Sequence, residues 1–142
     1  MEPISFSITE RTYPYFLPTS MGKKLSALSA DDIGNAPFGA QFHGDFVLRW
    51  PTLADRTKID AIMINRLLAA GYKNITDASQ SIRDMEHAFA LVETLGISVP
   101  GWFSREALST DLEMMAVIEV GKAFYDKQDE KKSLFIQGSP GP

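Results

Sequence analysis

The chain has 142 residues, a net charge of −4, 44% hydrophobic and 23% charged residues, and no cysteine. That length and balance suit one self-sufficient domain, and mild acidity with only two short basic pairs, Lys23-Lys24 and Lys131-Lys132, disfavours nucleic-acid binding, which needs a concentrated basic surface. The missing cysteines exclude disulfides, Cys-ligated zinc, iron–sulfur clusters and a thiolate nucleophile, and no apolar run approaches the length of a membrane span.

Ile4, Phe6 and Ile8 alternate with Ser5, Ser7 and Thr9, which predicts a strand over about residues 4–9. Residues 11–18 are rich in Tyr and Pro. Proline removes backbone donors and disfavours helix in the residue before it, so this piece reads as an extended connector within an N-terminal arm, residues 1–20. A short helix carrying Leu25 and Leu28 is expected within residues 21–33, and a turn over 34–39. Phe42, Gly44, Phe46, Leu48 and Trp50 then alternate with His43, Asp45, Val47 and Arg49, giving a second strand over about 42–50. The two strands are natural antiparallel partners, because a lone strand has nowhere to place its donors.

Three helices follow. The first, about 52–70, opens with Thr52 and Asp55 in a capping-box arrangement and carries Leu53, Ile59, Ile62, Met63, Leu67 and Leu68; Gly71 is placed as the left-handed residue past its end. The second, about 77–95 with Thr76 as N-cap, carries Ala78, Ile82, Met85, Phe89, Val92 and Leu95 at spacings of three and four and is closed by Gly96. The third, about 110–131, opens with the capping box Thr110/Glu113 and carries the broader set Leu112, Met115, Val117, Ile118, Phe124 and Tyr125. Trp102-Phe103, in the loop before it, are expected to plug the end of the helical layer, and residues 136–142 read as a flexible tail. The fold class expected is mainly α with a small antiparallel β element, in one domain over residues 1–135.

Chemical motifs are missing. The chain contains no His-Glu-x-x-His, no Gly-x-Ser-x-Gly and no Gly-rich phosphate loop before a Lys. His43 and His87 both read as surface positions, and Asp31-Asp32 as charge at a helix start. No catalytic, cofactor-binding or metal-binding residue is therefore expected, and no enzyme. Met63, Met85, Met114 and Met115 read as core filling at or beside the apolar stripes. The third helix is the exception to a bland reading. Met114, Met115, Val117, Ile118, Phe124 and Tyr125 span more of its circumference than one neighbour covers, which marks them as candidate partner-binding residues.

Three features occur in a familiar order: Leu48-Arg49-Trp50-Pro51-Thr52-Leu53-Ala54-Asp55-Arg56 with Ile59 a turn later; an Ala-rich amphipathic helix ending near Val92 and Leu95; and Val99-Pro100-Gly101-Trp102 followed by a capped helix with Phe124-Tyr125. Over about residues 46–127 the chain resembles the tail assembly chaperones of long-tailed bacteriophages. The resemblance implies a non-enzymatic protein that coats the long, helical tape measure protein, keeps it soluble and assists tail tube protein in polymerising around it. It would act in the host cytoplasm, alone or as a homo-oligomer, without nucleic acid or membrane. The Tyr- and Pro-rich arm lies outside the resemblance and leaves room for a structural component of the virion (tail, neck or baseplate adaptor).

Overall fold

A computed structural model describes residues 2–8, 44–106, 108 and 111–138. Among them are the strands β1 (Ile4–Ile8), β2 (Gly44–Leu48) and β3 (Gly96–Ser98) and the helices α1 (Leu53–Ala69), α2 (Gln80–Leu95) and α3 (Asp111–Gly138). The expected architecture, mainly α with a small antiparallel sheet, is the one observed. The Tyr- and Pro-rich connector, the short helix carrying Leu25 and Leu28, the 34–39 turn, Asp31-Asp32 and His43 lie outside the described residues.

β1 and β2 pair antiparallel in the register Ile4↔Leu48, Phe6↔Phe46 and Ile8↔Gly44. Residues opposite each other on antiparallel strands share a face, so the alternation in both strands delivers Ile4, Phe6, Ile8, Phe46 and Leu48 to one side. Ile4, Ile8, Phe46 and Leu48 are buried there, and Phe6 stacks on Phe46 with ring centroids 5.1 Å apart. Ser7 and Asp45 face outward, and Ser7 Oγ donates to Asp45 Oδ1. The first residue of β2 is held by packing: Gly44 has φ +145°, and a Cβ there would approach Pro100 Cγ to 2.7 Å.

The sheet has a third strand that alternation could not reveal, because it is three residues long. β3 pairs antiparallel with β2 (Val47↔Ser98, Leu48↔Gly96), which makes β2 the central strand. It leaves α2 without a loop. Gly96 is extended, at φ −62° and ψ 127°, and a Cβ on it would lie 2.6 Å from the Val92 carbonyl oxygen. Glycine closes this helix by allowing a close approach; Gly71 closes α1 in the left-handed region at φ +104°, as expected.

The strand-to-helix junction is cross-tied. Thr52 Oγ1 accepts from the Asp55 N–H at 3.1 Å, and Asp55 Oδ2 accepts from the Thr52 N–H at 2.8 Å, completing the capping box. Arg49 donates through both terminal nitrogens to the Asp55 carboxylate, and its Nη2 also reaches the Thr94 carbonyl at 3.3 Å. One arginine thus ties the end of β2 to the start of α1 and the end of α2. Arg49, with the Thr52 N–H, holds the Asp55 carboxyl well below the usual carboxylate range. Thr52→Ala removes the cap acceptor and is expected to lower unfolding free energy by about 0.5–2 kcal/mol in urea titrations, whereas Thr52→Ser is expected to lose far less.

Two helix boundaries differ from expectation. α2 begins at Gln80, with Ser79 Oγ accepting from the Ile82 N–H at 3.2 Å, rather than near Thr76. The preceding residues Ile75–Asp77 form a separate 3₁₀ turn, in which Asp77 Oδ2 accepts from the Asn74 N–H. α3 continues past 131 to Gly138, so residues 136–138 of the expected tail are helical.

α2 packs between α1 and α3, and α3 also packs against β1. The core draws Ile59 from α1, Ala90, Leu91, Val92 and Leu95 from α2, and Ala116, Val120 and Phe124 from α3 onto the inner face of the sheet. Trp102 and Phe103 insert edge-on against Phe46, at 5.8 and 5.7 Å, and Phe103 also meets Phe89 of α2 at 5.3 Å. They join the sheet to the helices, a more central position than the end plug expected.

Candidate functional site: a cleft between the second and third helices

The candidate site follows from how α2 and α3 cross. Ala88 and Gly121 meet at the crossing, where a Cβ on Gly121 would stand 3.2 Å from Ala88 Cβ. A helix position without a side chain lets its neighbour come close and leaves a gap in the side-chain surface beside it. That gap is a cleft of about 280 Å³ lined by Asp84 and His87 of α2 and by Ile118, Gly121, Lys122, Tyr125 and Asp126 of α3. The lining positions recur at three- and four-residue spacing, with Asp84 and His87 on α2 and two adjacent rows on α3, Ile118–Gly121–Tyr125 and Lys122–Asp126.

His87 and Tyr125 span it. His87 Nε2 lies 2.5 Å from the Tyr125 hydroxyl, and the rings are stacked with centroids 5.7 Å apart. His87 is half-buried, a correction to the exposed position its spacing implied: Tyr125, 38 residues away, covers it. Burial pushes the His87 pKa down from its ordinary 6.5, with the charges of Asp60 and Asp84 opposing. Burial also pushes the Tyr125 hydroxyl up. Both groups are therefore neutral near pH 7, and they form a neutral hydrogen bond that braces two helices.

This brace makes stability pH-dependent. Because the folded-state pKa of His87 is depressed, the unfolded chain binds the extra proton first as pH falls through 6.5. Stability is expected to drop from that point downward and to level off below the folded-state value. His87→Gln should abolish this limb; a wild-type and H87Q pair with parallel stability–pH curves would contradict it.

A second groove, of about 310 Å³, lies across α2 beside the 99–106 loop and is lined by Phe89, Val92 and Phe103 among others. Its edge is locked by charge. Arg105 donates to both oxygens of Glu86, at 3.0 and 2.7 Å, and sits 5.9 Å over the Phe89 ring. Among the described residues no group of three or more His, Asp or Glu is placed to hold a metal ion, and no helix is long and apolar enough to cross a membrane.

No protein-family model, no curated protein and no solved structure matches the chain.

The six candidate partner-binding residues fall into different environments. Val117 and Phe124 have no exposed surface, and Ile118 keeps only 6%. Met114 and Tyr125 are half-buried, and Met115 is 37% exposed. The stripe looked too broad because α3 has two neighbours, α2 and β1, where one was assumed. Val117, Val120, Phe124 and the buried Gln128 form the row turned into the core. Met114, Ile118, Gly121 and Tyr125 form the next row at four- and three-residue steps, and the last three of them line the cleft. Sequence reasoning missed Asp84, Gly121, Lys122 and Asp126; the signal was Gly121, a small residue at mid-helix on the same row as Ile118 and Tyr125.

Proposed function

We propose that the protein is a phage tail assembly chaperone that binds a helical segment of the tape measure protein and acts without bond chemistry. The α2–α3 cleft is the observation that supports this most: it brings Ile118 and Tyr125, two of the residues singled out for partner contact, to one concave surface. A groove between helices that takes the anchors of another helix is a recurring mode of recognition.

Quantitative mass spectrometry of infected cells and purified particles tests this role. A chaperone is expected in lysates and depleted from mature particles. Many copies per finished particle would instead make the protein a structural component of the tail.

A further inference from the structure

We propose that the α2–α3 cleft seats a basic side chain, Arg or Lys, carried by the partner helix one turn from an apolar anchor. This rests on the chaperone reading and specifies what the partner must carry. Two features of the cleft carry the argument. Its more buried lining, Ile118, Gly121 and the half-buried Tyr125 stacked on His87, is largely apolar. Its sides hold Asp84 and Asp126, and neither carboxylate is within ion-pair distance of a Lys or Arg among the described residues. Among the described residues Asp84 accepts from the neutral amide of Gln80, at 2.7 Å.

The cation in the lining does not offset them. Lys122 reaches toward Glu119 at 3.5 Å, one turn back along α3. His87 is neutral and engaged with Tyr125. Two carboxylates with no Lys or Arg partner among the described residues attract a cation by Coulomb attraction, which strengthens as water leaves the cleft; from α1, Arg56 and Asp60 act on the Tyr125 hydroxyl in opposite senses. A guanidinium or ammonium on a long aliphatic stem matches both parts, since its stem covers the apolar lining while its charged head meets the carboxylates. An acidic residue at the same place on the partner would be rejected.

The test uses the full chain and two synthetic amphipathic helical peptides with a Leu/Ala face, identical except for Arg or Glu one turn from the central Leu. By fluorescence anisotropy the Arg peptide is expected to bind roughly tenfold more tightly than the Glu peptide. The chain's overall negative charge favours Arg non-specifically, so the deciding variant is Asp84→Asn with Asp126→Asn. Both carboxylates lie at the cleft surface, and circular dichroism checks that the fold is kept. Loss of the Arg preference in the double variant supports the seat. A preference that survives in it, equal affinity for the two peptides, or no binding of either overturns the seat. Tape measure protein that co-purifies equally with wild type and double variant would remove the seat and leave the chaperone reading standing. An Arg preference without any tape measure co-purification would do the reverse.

Discussion

Phe46→Ala is expected to lower the unfolding free energy by about 3–5 kcal/mol, the usual cost of truncating a fully buried phenylalanine. Phe46 has no exposed surface, and its ring is the hub where Phe6, Trp102 and Phe103 meet from β1 and the 99–106 loop. Truncation removes transfer energy, opens a cavity and strands three aromatic partners at once. Against a typical total of about 5–15 kcal/mol, that loss leaves a marginal fold. Urea titration with Trp fluorescence reads it directly, since Trp102 packs against the ring. Phe46→Leu keeps most of the volume and should recover more than half of the loss. A Phe46→Ala cost below that of Thr52→Ala would contradict the placement of the core.

Arg105→Ala is expected to cost about 2–3 kcal/mol, less than a fully buried pair because the arginine is partly exposed. The asymmetry lies in its partner: the Glu86 side chain keeps 5% of its exposure, against 37% for Arg105. Removing Arg105 leaves a buried carboxylate unpaired and strips the cation from over Phe89. Glu86→Gln, by contrast, leaves an exposed arginine that water can solvate, and should cost about half as much. In the double variant the two losses should fall well short of adding. A double-mutant cycle in urea checks this, and additive losses would mean the pair is not coupled.

Local signals in the sequence were enough for most of the scaffold. Period-two alternation gave β1, β2 and their antiparallel pairing, and Thr52 with Asp55 gave the start of α1. The errors have a common cause, competition or closure at a distance. Thr76 looked like an N-cap, but the Asn74–Asp77 turn takes that segment and passes the cap to Ser79. Ile97 carries no strand pattern over three residues and joins the sheet because β2 offers it a free edge. The contacts that build the candidate site are longer in range still. Nothing near His87 in sequence announces Tyr125, and nothing near Glu86 announces Arg105. The breadth of the α3 stripe was legible, but its division into a core row and a cleft row depends on which two elements flank the helix.

Those rows also show how one helix can hold the core and border a cleft at the same time. Val117, Val120 and Phe124 hold α3 to the sheet and α2, which frees the adjacent row to border a cleft without weakening the core. Gly121 is the pivot of that division. A larger side chain there would force the helices apart at Ala88 and fill the cleft together, so Gly121→Leu should destabilise the chain by about 1–3 kcal/mol and abolish the partner binding proposed for the cleft.

Co-expression of the chain with a candidate tape measure protein tests the central claim most directly, reading the soluble fraction of that protein and its recovery on the tagged chain. A soluble, co-purifying tape measure protein, lost when the chain carries Gly121→Leu, is the outcome expected of a chaperone that works through the α2–α3 cleft. A tape measure protein that stays insoluble and fails to co-purify with the wild-type chain would contradict it.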